Sequence, residues 1–399
     1  MKRNFLSIIF LAAFMAVPVF AERATMPAFT MPTAASSGFG GTHVAYTDNV
    51  FALLVNPAAM TRVQQRSFFT LSASLFSPQS TTEISESVID MISSGNTTSF
   101  GNMADTLNRH RGRIALGFEL RELPPFSIAW VANGFGFGLW SHSFVKAEVI
   151  GGTVRATAYS DIMLPIGFAF RILDLNAHSV DAGFTIKPFV RVMARERASI
   201  LDLIDNNDFE FSIPVIWGGG LDIGFLYRWD GGFQAGLTFT DILSRGTSAE
   251  NLGDAADTIN DYYVPFAINA GISKSFRFAE FLGVTFAADW RDIGNAFNQT
   301  DYLNNRNFLL DFGAGVQVSL FDIFFLRAGM NEMLPAAGLG IRLGALQIDA
   351  AYYGREFGYE PGQLSTAVVD LSVSIRPGAK ERNWGWTRNS AFGLFGIGN

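Results

Sequence analysis

Residues 180–195 read Val180-Asp181-Ala182-Gly183-Phe184-Thr185-Ile186-Lys187-Pro188-Phe189-Val190-Arg191-Val192-Met193-Ala194-Arg195. Val180, Ala182, Phe184, Ile186, Val190 and Val192 share one parity, and Asp181, Thr185, Lys187, Arg191 and Arg195 share the other. Successive side chains of a strand point to opposite faces, so this stretch is a strand with one greasy and one polar face. A strand of a soluble sheet runs about 5–6 residues. This alternation continues well beyond that, as it does in a tilted strand crossing a bilayer.

The pattern recurs. Ile162, Leu164, Ile166, Phe168 and Phe170 alternate with Asp161 and Gly167. Leu221, Ile223, Phe225, Tyr227 and Trp229 alternate with Gly220, Asp222, Gly224 and Arg228, and the hairpin turn Asp230-Gly231-Gly232 follows. Val316, Val318 and Leu320 oppose Gln317 and Ser319, and Val369, Leu371, Val373 and Ile375 oppose Asp370, Ser372 and Ser374.

Composition agrees with that reading. The chain is 49% hydrophobic with 39 Phe and 40 Gly, yet past the first residues it holds no apolar run long enough for a helical span. Greasy surface without such runs fits a closed barrel, in which every backbone polar group is paired between strands inside lipid. Cys is absent, which excludes disulfides, thiolate metal sites and an acylated lipoprotein start. A net charge of −7 without a basic stripe argues against nucleic acid.

Lys2 and Arg3 followed by the apolar run Phe5 to Val17 read as a signal peptide over residues 1–21, with cleavage after Ala21. The expected compartment is the bacterial outer membrane. Long polar connections near 77–111, 196–210, 244–262, 293–305 and 355–363 alternate with tight turns such as Asn133-Gly134 and Phe321-Asp322, the asymmetry of outer-membrane barrels. Keeping that alternation in step predicts an all-β, antiparallel transmembrane barrel of about fourteen strands over residues 66–376. Its second strand, at 112–132, is interrupted by Pro124-Pro125, and the tenth is placed at 306–320. Residues 22–65, small and polar with a glycine cluster, read as a non-strand segment that plugs the barrel. Residues 377–399, with Trp384 and Trp386, read as a periplasmic tail.

The segment from Gly38-Phe39-Gly40-Gly41-Thr42 through Asp48 to Asn56-Pro57-Ala58-Ala59-Met60 resembles the start of FadL-like outer-membrane proteins, with Thr42 where that family usually has a small Ala. The resemblance implies passive uptake of long-chain fatty acids or other hydrophobic small molecules. It also implies that Gly40, Gly41, Asn56, Pro57 and Ala58 belong to a hatch, and that cargo leaves by hatch movement or through a lateral opening in the wall. Read alone, Asn56-Pro57 is an ordinary turn signal. The glycine cluster is no phosphate loop, since no strand precedes it.

Lys187, Arg191 and Arg195 share a lumen face and form the candidate contact for an anionic head group; the plainer reading is a wetted polar lumen. Gly134, Gly136 and Gly138 either kink an early strand, as lateral exit requires, or leave room for the plug. Pro165 and Pro188 are rival kink points. The four histidines, His43, His110, His142 and His178, show no metal-ligand spacing, and no Gly-x-Ser-x-Gly occurs, so neither a metal nor a cofactor is expected and no enzyme is indicated. The expected partners are a hydrophobic small molecule, outer-membrane lipid and, through the tail, a periplasmic protein. A scaffold or shuttle-like secretion component and a general porin stand as alternatives.

Overall fold

The computed structural model describes residues 23–29, 33–47, 49–63, 68–77, 113–121, 127–150, 153–199, 213–252, 261–279, 281–297 and 306–375. The expected leader (1–21) and tail (377–399), Pro124-Pro125 and His110 lie outside the described residues.

Fourteen staves form one antiparallel ring. They are β1 (Phe68–Ser77), β2 (Arg113–Arg121 and Ser127–Ala132), β3 (Phe135–Ile150), β4 (Thr153–Met163 and Ile166–Leu175), β5 (His178–Ser199), β6 (Pro214–Trp229) and β7 (Phe233–Asn251). They continue with β8 (Asp261–Tyr263 and Ala267–Ala279), β9 (Leu282–Trp290), β10 (Phe312–Leu320), β11 (Phe324–Asn331), β12 (Leu334–Leu343), β13 (Leu346–Glu356) and β14 (Ser365–Ile375). Each pairs with the next, and β14 closes on β1 from Ala367 opposite Ser77 to Ile375 opposite Phe69. Closure leaves no edge strand to lipid.

Three staves have two arms. Pro165 marks the break in β4 and Pro265 the break in β8, because proline carries no N–H for the ladder. Both arms of β2 pair with β1 and with β3, so they make one stave. The tenth stave begins later than the expected 306. Residues Phe308–Asp311 turn into a 3-10 helix because the Asn307 side chain accepts a bond from Leu309 N, and Leu310 becomes buried.

Tight turns gather at one end. Asn133 and Gly134 take φ of 50° and 81°, the left-handed pair of a two-residue hairpin turn, and Phe321 and Asp322 take 56° and 53°. The start of β1 and the end of β14 lie at this same end. The described long connection, Phe357–Leu364, sits at the other end, together with the two-residue turn Glu332-Met333.

The outer face is greasy. Leu164, Ile166, Phe168, Phe170, Trp217 and Leu339 are among its exposed large side chains, and Trp217 is 59% exposed. A belt of this kind in water would be an association surface, and around a closed barrel it is a lipid face. No described helix is long and apolar enough to cross a membrane; the crossing is made by strands. The inward parity is buried and polar: Thr185, Lys187, Arg191, Asp222, Gln317 and Asp349 all point into the lumen.

The described residues before β1 add no stave and lie across that lumen. A three-residue strand, Arg23–Thr25, pairs in parallel with Asp261–Tyr263 at the long-connection end, in a region where the composition suggests no strand. The chain then passes through a short helix α1 (Ala34–Gly38), opened by a capping box of Thr33 and Ser36, and through α2 (Ala52–Val55) and a 3-10 helix (Pro57–Arg62). Helix α1 lies on β11–β14, whereas the 3-10 helix lies on β2–β6, so the segment spans the ring from wall to wall.

Candidate functional site in the barrel interior

The interior is built from this segment and the side chains that meet it. On the β2–β6 side, glycines receive its backbone. A side chain at Gly183 would strike Pro57 and Ala58, and one at Gly224 would strike Asn56 and Pro57. Gly136 and Gly167 instead face the side-chain ends of Leu53 and Met60. Asn56 is fully buried and pins three chain segments at once. Its Nδ2 donates to Val44 O at 2.9 Å and to Phe225 O at 3.3 Å, and its Oδ1 accepts from Ala58 N at 3.2 Å. Pro57 sits at the first position of the 3-10 helix, where a missing N–H costs nothing.

On the opposite flank Gly40 and Gly41 have φ of 75° and 73°, which lets the backbone press on Ala314 and Asn331. A little further on, the backbone holds a wall carboxylate: His43 N and Val44 N donate to Asp289 Oδ2 at 2.6 and 2.9 Å. The His43 ring is driven toward its neutral form by burial, against the raising pull of Asp289. Its Nδ1 lies 2.8 Å from Gly41 O, which can only accept, so the proton sits on Nδ1.

Toward the long-connection end the lumen narrows around Phe29. Phe29 packs on Phe189 at 4.6 Å between ring centres, and the Arg191 guanidinium lies 4.4 Å above the Phe29 ring. Phe144, Tyr159, Met193, Ile216 and Tyr262 complete a buried apolar cluster that also holds Met26. Lys187, Arg191 and Arg195 all reach this region. Lys187 Nζ lies 2.9 Å from Asp222 and 2.8 Å from Asp241. Arg191 makes a two-pronged pair with Asp161 and donates to Pro27 O at 2.6 Å; Arg195 donates to Thr25 O at 2.9 Å. The charges of Lys187 and Arg191 are met by carboxylates of neighbouring staves, and the two arginines also grip backbone carbonyls of the N-terminal strand. His142 extends the network, 2.7 Å from Glu119, which Arg355 reaches at 3.1 Å.

Gly134 serves the β2–β3 turn, while Gly136 and Gly138 face inward along β3, which pairs in unbroken register with each arm of β2 but changes register by four residues between the two arms. A second distortion of the wall lies in β7. Stave β7 carries extra residues against β6 at Phe239/Ile242 and at Ile242/Arg245, with Asp241 and Leu243 at φ of 57° and 55°. The bulge turns Asp241 inward to Lys187 and Leu243 out to lipid, 77% exposed. Beside it β8 is interrupted at Val264–Phe266.

A vestibule open to solvent lies between the N-terminal segment and β10–β14. Its wall includes Gln317, Arg327, Arg342, Gln347, Asp349 and Ser372, near the tight-turn ends of their staves; Phe39, His43, Tyr46 and Phe51 line the other side. These residues are knit together: Tyr46 accepts from Gln317 at 2.9 Å, Arg327 donates to Gln317 at 2.7 Å and to Asp349 at 2.8 Å, and Arg342 donates to Gln347 at 2.9 Å. Parity alone marks Gln317 as inward, but nothing in the sequence brings Tyr46 to it across 271 positions.

No family model matches the chain, and no curated protein matches it. Solved structures do. The CymD monoaromatic hydrocarbon channel is 12% identical over 88% of this chain and 98% of its own, with a TM-score of 0.46. The P. putida toluene transporter TodX is 12% identical over 86% and 98%, with a TM-score of 0.47. A Pseudomonas aeruginosa FadL homologue is 12% identical over 87% and 98%, with a TM-score of 0.45.

Proposed function

We propose that this barrel sits in the bacterial outer membrane, delivered there by its N-terminal leader, and passes hydrophobic small molecules, with long-chain fatty acids as the leading candidates. The observation that carries the reading is the apolar cluster that holds Phe29 together with Phe144, Tyr159, Phe189, Met193 and Ile216 at the long-connection end of the lumen. An apolar molecule gains free energy by leaving water for such a site and gains none in a wetted pore.

In this reading Arg23–Phe29 occupies the site in the absence of cargo. Pro27 O and Thr25 O hold Arg191 and Arg195 where a head-group carboxylate would bind, so an arriving anion competes with two backbone carbonyls for the same guanidinium groups. Lys187, clamped between two carboxylates, keeps the wall in shape more than it meets cargo. The hatch motif then yields toward the tight-turn end. A lateral exit, if used, would pass the double bulge of β7 beside the break in β8, and the Gly136 stretch would serve as a seat for the hatch.

The test is equilibrium binding and vesicle uptake of oleate and of toluene by the purified barrel. Binding of either, weakened by Phe29→Asp, supports the reading. An open ionic conductance in the wild type with no binding of either compound overturns it in favour of a porin.

A further inference from the structure

We infer that the site around Phe29 recognises short aryl-bearing carboxylates, an aromatic ring with a carboxylate a few bonds away, and that residues 25–29 are the chain's own copy of such a ligand. The inference rests on the reading above, in which this stretch gives way to cargo.

Phe29 supplies the ring of the copy. It packs on the Phe189 ring, with centres 4.6 Å apart, and lies under the Arg191 guanidinium at 4.4 Å, with Lys187 Nζ at 5.6 Å. Pro27 supplies the oxygen. Its carbonyl accepts from Nη1 of that same guanidinium at 2.6 Å, and Thr25 O accepts from Arg195 Nη1 at 2.9 Å. The groups that receive the copy belong to the wall: Lys187, Phe189, Arg191 and Arg195 lie on β5, and Tyr159 and Asp161 on β4. Arg191 is fully buried, its Nε and Nη2 are fixed on Asp161, and its guanidinium also lies 4.9 Å from the centre of the Tyr159 ring. Asp161 therefore keeps the guanidinium in place when the segment leaves, while Nη1 loses its acceptor and the cation loses one of two rings. The backbone ladder that holds the segment here is short. Arg23–Thr25 pairs with Asp261–Tyr263 in parallel, Met26 N adds one bond to Tyr263 O at 2.8 Å, and Phe29 is half-buried.

Three ligand classes restore different parts of what the copy provides. An alkyl carboxylate gives Nη1 an acceptor but shows the cation no ring face. A bare arene such as toluene shows a ring but leaves a buried N–H without an acceptor. An arylalkanoate supplies both, and its carboxylate is a stronger acceptor than the peptide carbonyl it displaces. The exchange is group for group, ring for ring and acceptor for acceptor.

The experiment is calorimetric titration of the full barrel in a non-ionic detergent with 3-phenylpropionate, 3-cyclohexylpropionate and 3-phenyl-1-propanol. The cyclohexyl acid has the same carboxylate on a ring at least as apolar, so burial alone ranks it level with the phenyl acid or above it. 3-Phenylpropionate should nonetheless bind at least about tenfold more tightly than either comparison compound. Phe29→Ala removes the internal ring and should tighten 3-phenylpropionate about tenfold, a gain that a poorly folded barrel cannot produce. The chain has no Cys and Thr25 is exposed, so a spin label on Thr25→Cys reports this stretch alone, and 3-phenylpropionate should mobilise it. Binding of the cyclohexyl acid as tight as that of the phenyl acid, no gain from Phe29→Ala, or binding that leaves the label immobile overturns the inference. Any of these together with oleate binding that Phe29→Asp weakens leaves the transport reading standing. Tight binding and label release by 3-phenylpropionate without vesicle uptake of it, of oleate or of toluene supports the site and overturns transport alone.

Discussion

The two flanks of the N-terminal segment both rest on glycines, but only one of them leaves a polar space beside the contact. Against β2–β6 the lumen parity presents glycines, and the chain from Leu53 to Ala58 presses into them with no room for a side chain. Against β10–β14 glycines again receive the backbone, Gly313, Gly315, Gly329 and Gly338 meeting Gly38–Gly40, but nearer the tight turns the same parity presents Gln317, Arg327, Gln347 and Asp349, and there the chain stands off to leave a polar space. Small residues at lumen positions make a dry seat, and long polar ones hold a wetted gap. The segment therefore has a tight seat on one flank and, on the other, the looser flank, a tight contact at Gly38–Gly40 beside an open space.

The largest effect is expected at the tight seat. Gly183→Val would drive a branched side chain into the backbone of Pro57 and Ala58 and cost about 3 kcal/mol, the upper end for overpacking. Planar-bilayer recordings should show a conductance that the wild type lacks. Gly219→Ala is the matched control: a methyl there meets nothing closer than Lys187 O at 3.8 Å, and the recordings should not change. Equal behaviour of the two variants would end the distinction between seat and wall.

Asp289→Ala comes next. It leaves His43 N and Val44 N without their buried carboxylate and should cost about 2 kcal/mol in urea unfolding, in the range for hydrogen bonds to a charged group. Conductance should rise in bursts, because the glycine seat on the other flank still holds. A silent substitution would show that this anchor contributes nothing to holding the segment.

Tyr46→Phe on the loose side removes one bond, to Gln317, and should cost about 0.5–1 kcal/mol with the barrel still closed. A cost as large as that of Asp289→Ala would mean the vestibule wall is as tightly packed as the seat.

The smallest effect concerns pH, at the outer end of the loose flank. Burial raises the Asp311 carboxyl from 3.8 to about 6, against the lowering pull of its bond from Asn295. The folded protein thus holds that proton more tightly than the unfolded chain. The stabilisation is complete below the unfolded value and fades as pH climbs through the folded one. Hydrogen exchange of residues 306–311, corrected for intrinsic rates, should loosen between 3.8 and about 6, and Asp311→Asn should flatten the profile. Protection that grows over the same interval would refute the assignment.

Much of this comparison is legible beforehand, and the reason is local. Period-two alternation is a property of each strand by itself, so it places Ile186 in lipid and Lys187, Arg191 and Asp222 in the lumen before any partner is known. Asn133-Gly134 and Asp230-Gly231-Gly232 mark hairpins for the same local reason. The candidate site is less legible. Lys187 and Arg191 read as anion contacts because their parity is visible and their partners are not: Asp241 lies 54 positions from Lys187 and turns inward only through the β7 bulge. Asp289, Arg327 and Asp349 carry no motif at all.

Strand length, face, turn chemistry and the even count of staves follow from the order of residues, because each depends on neighbours within a hairpin. Which glycines become a seat, which charges cancel and where a space remains open were decided only by ring closure around the N-terminal segment. Closure sets residues hundreds of positions apart side by side in a lumen of fixed width, and that width determines whether a chain passing through it touches the wall or stands clear.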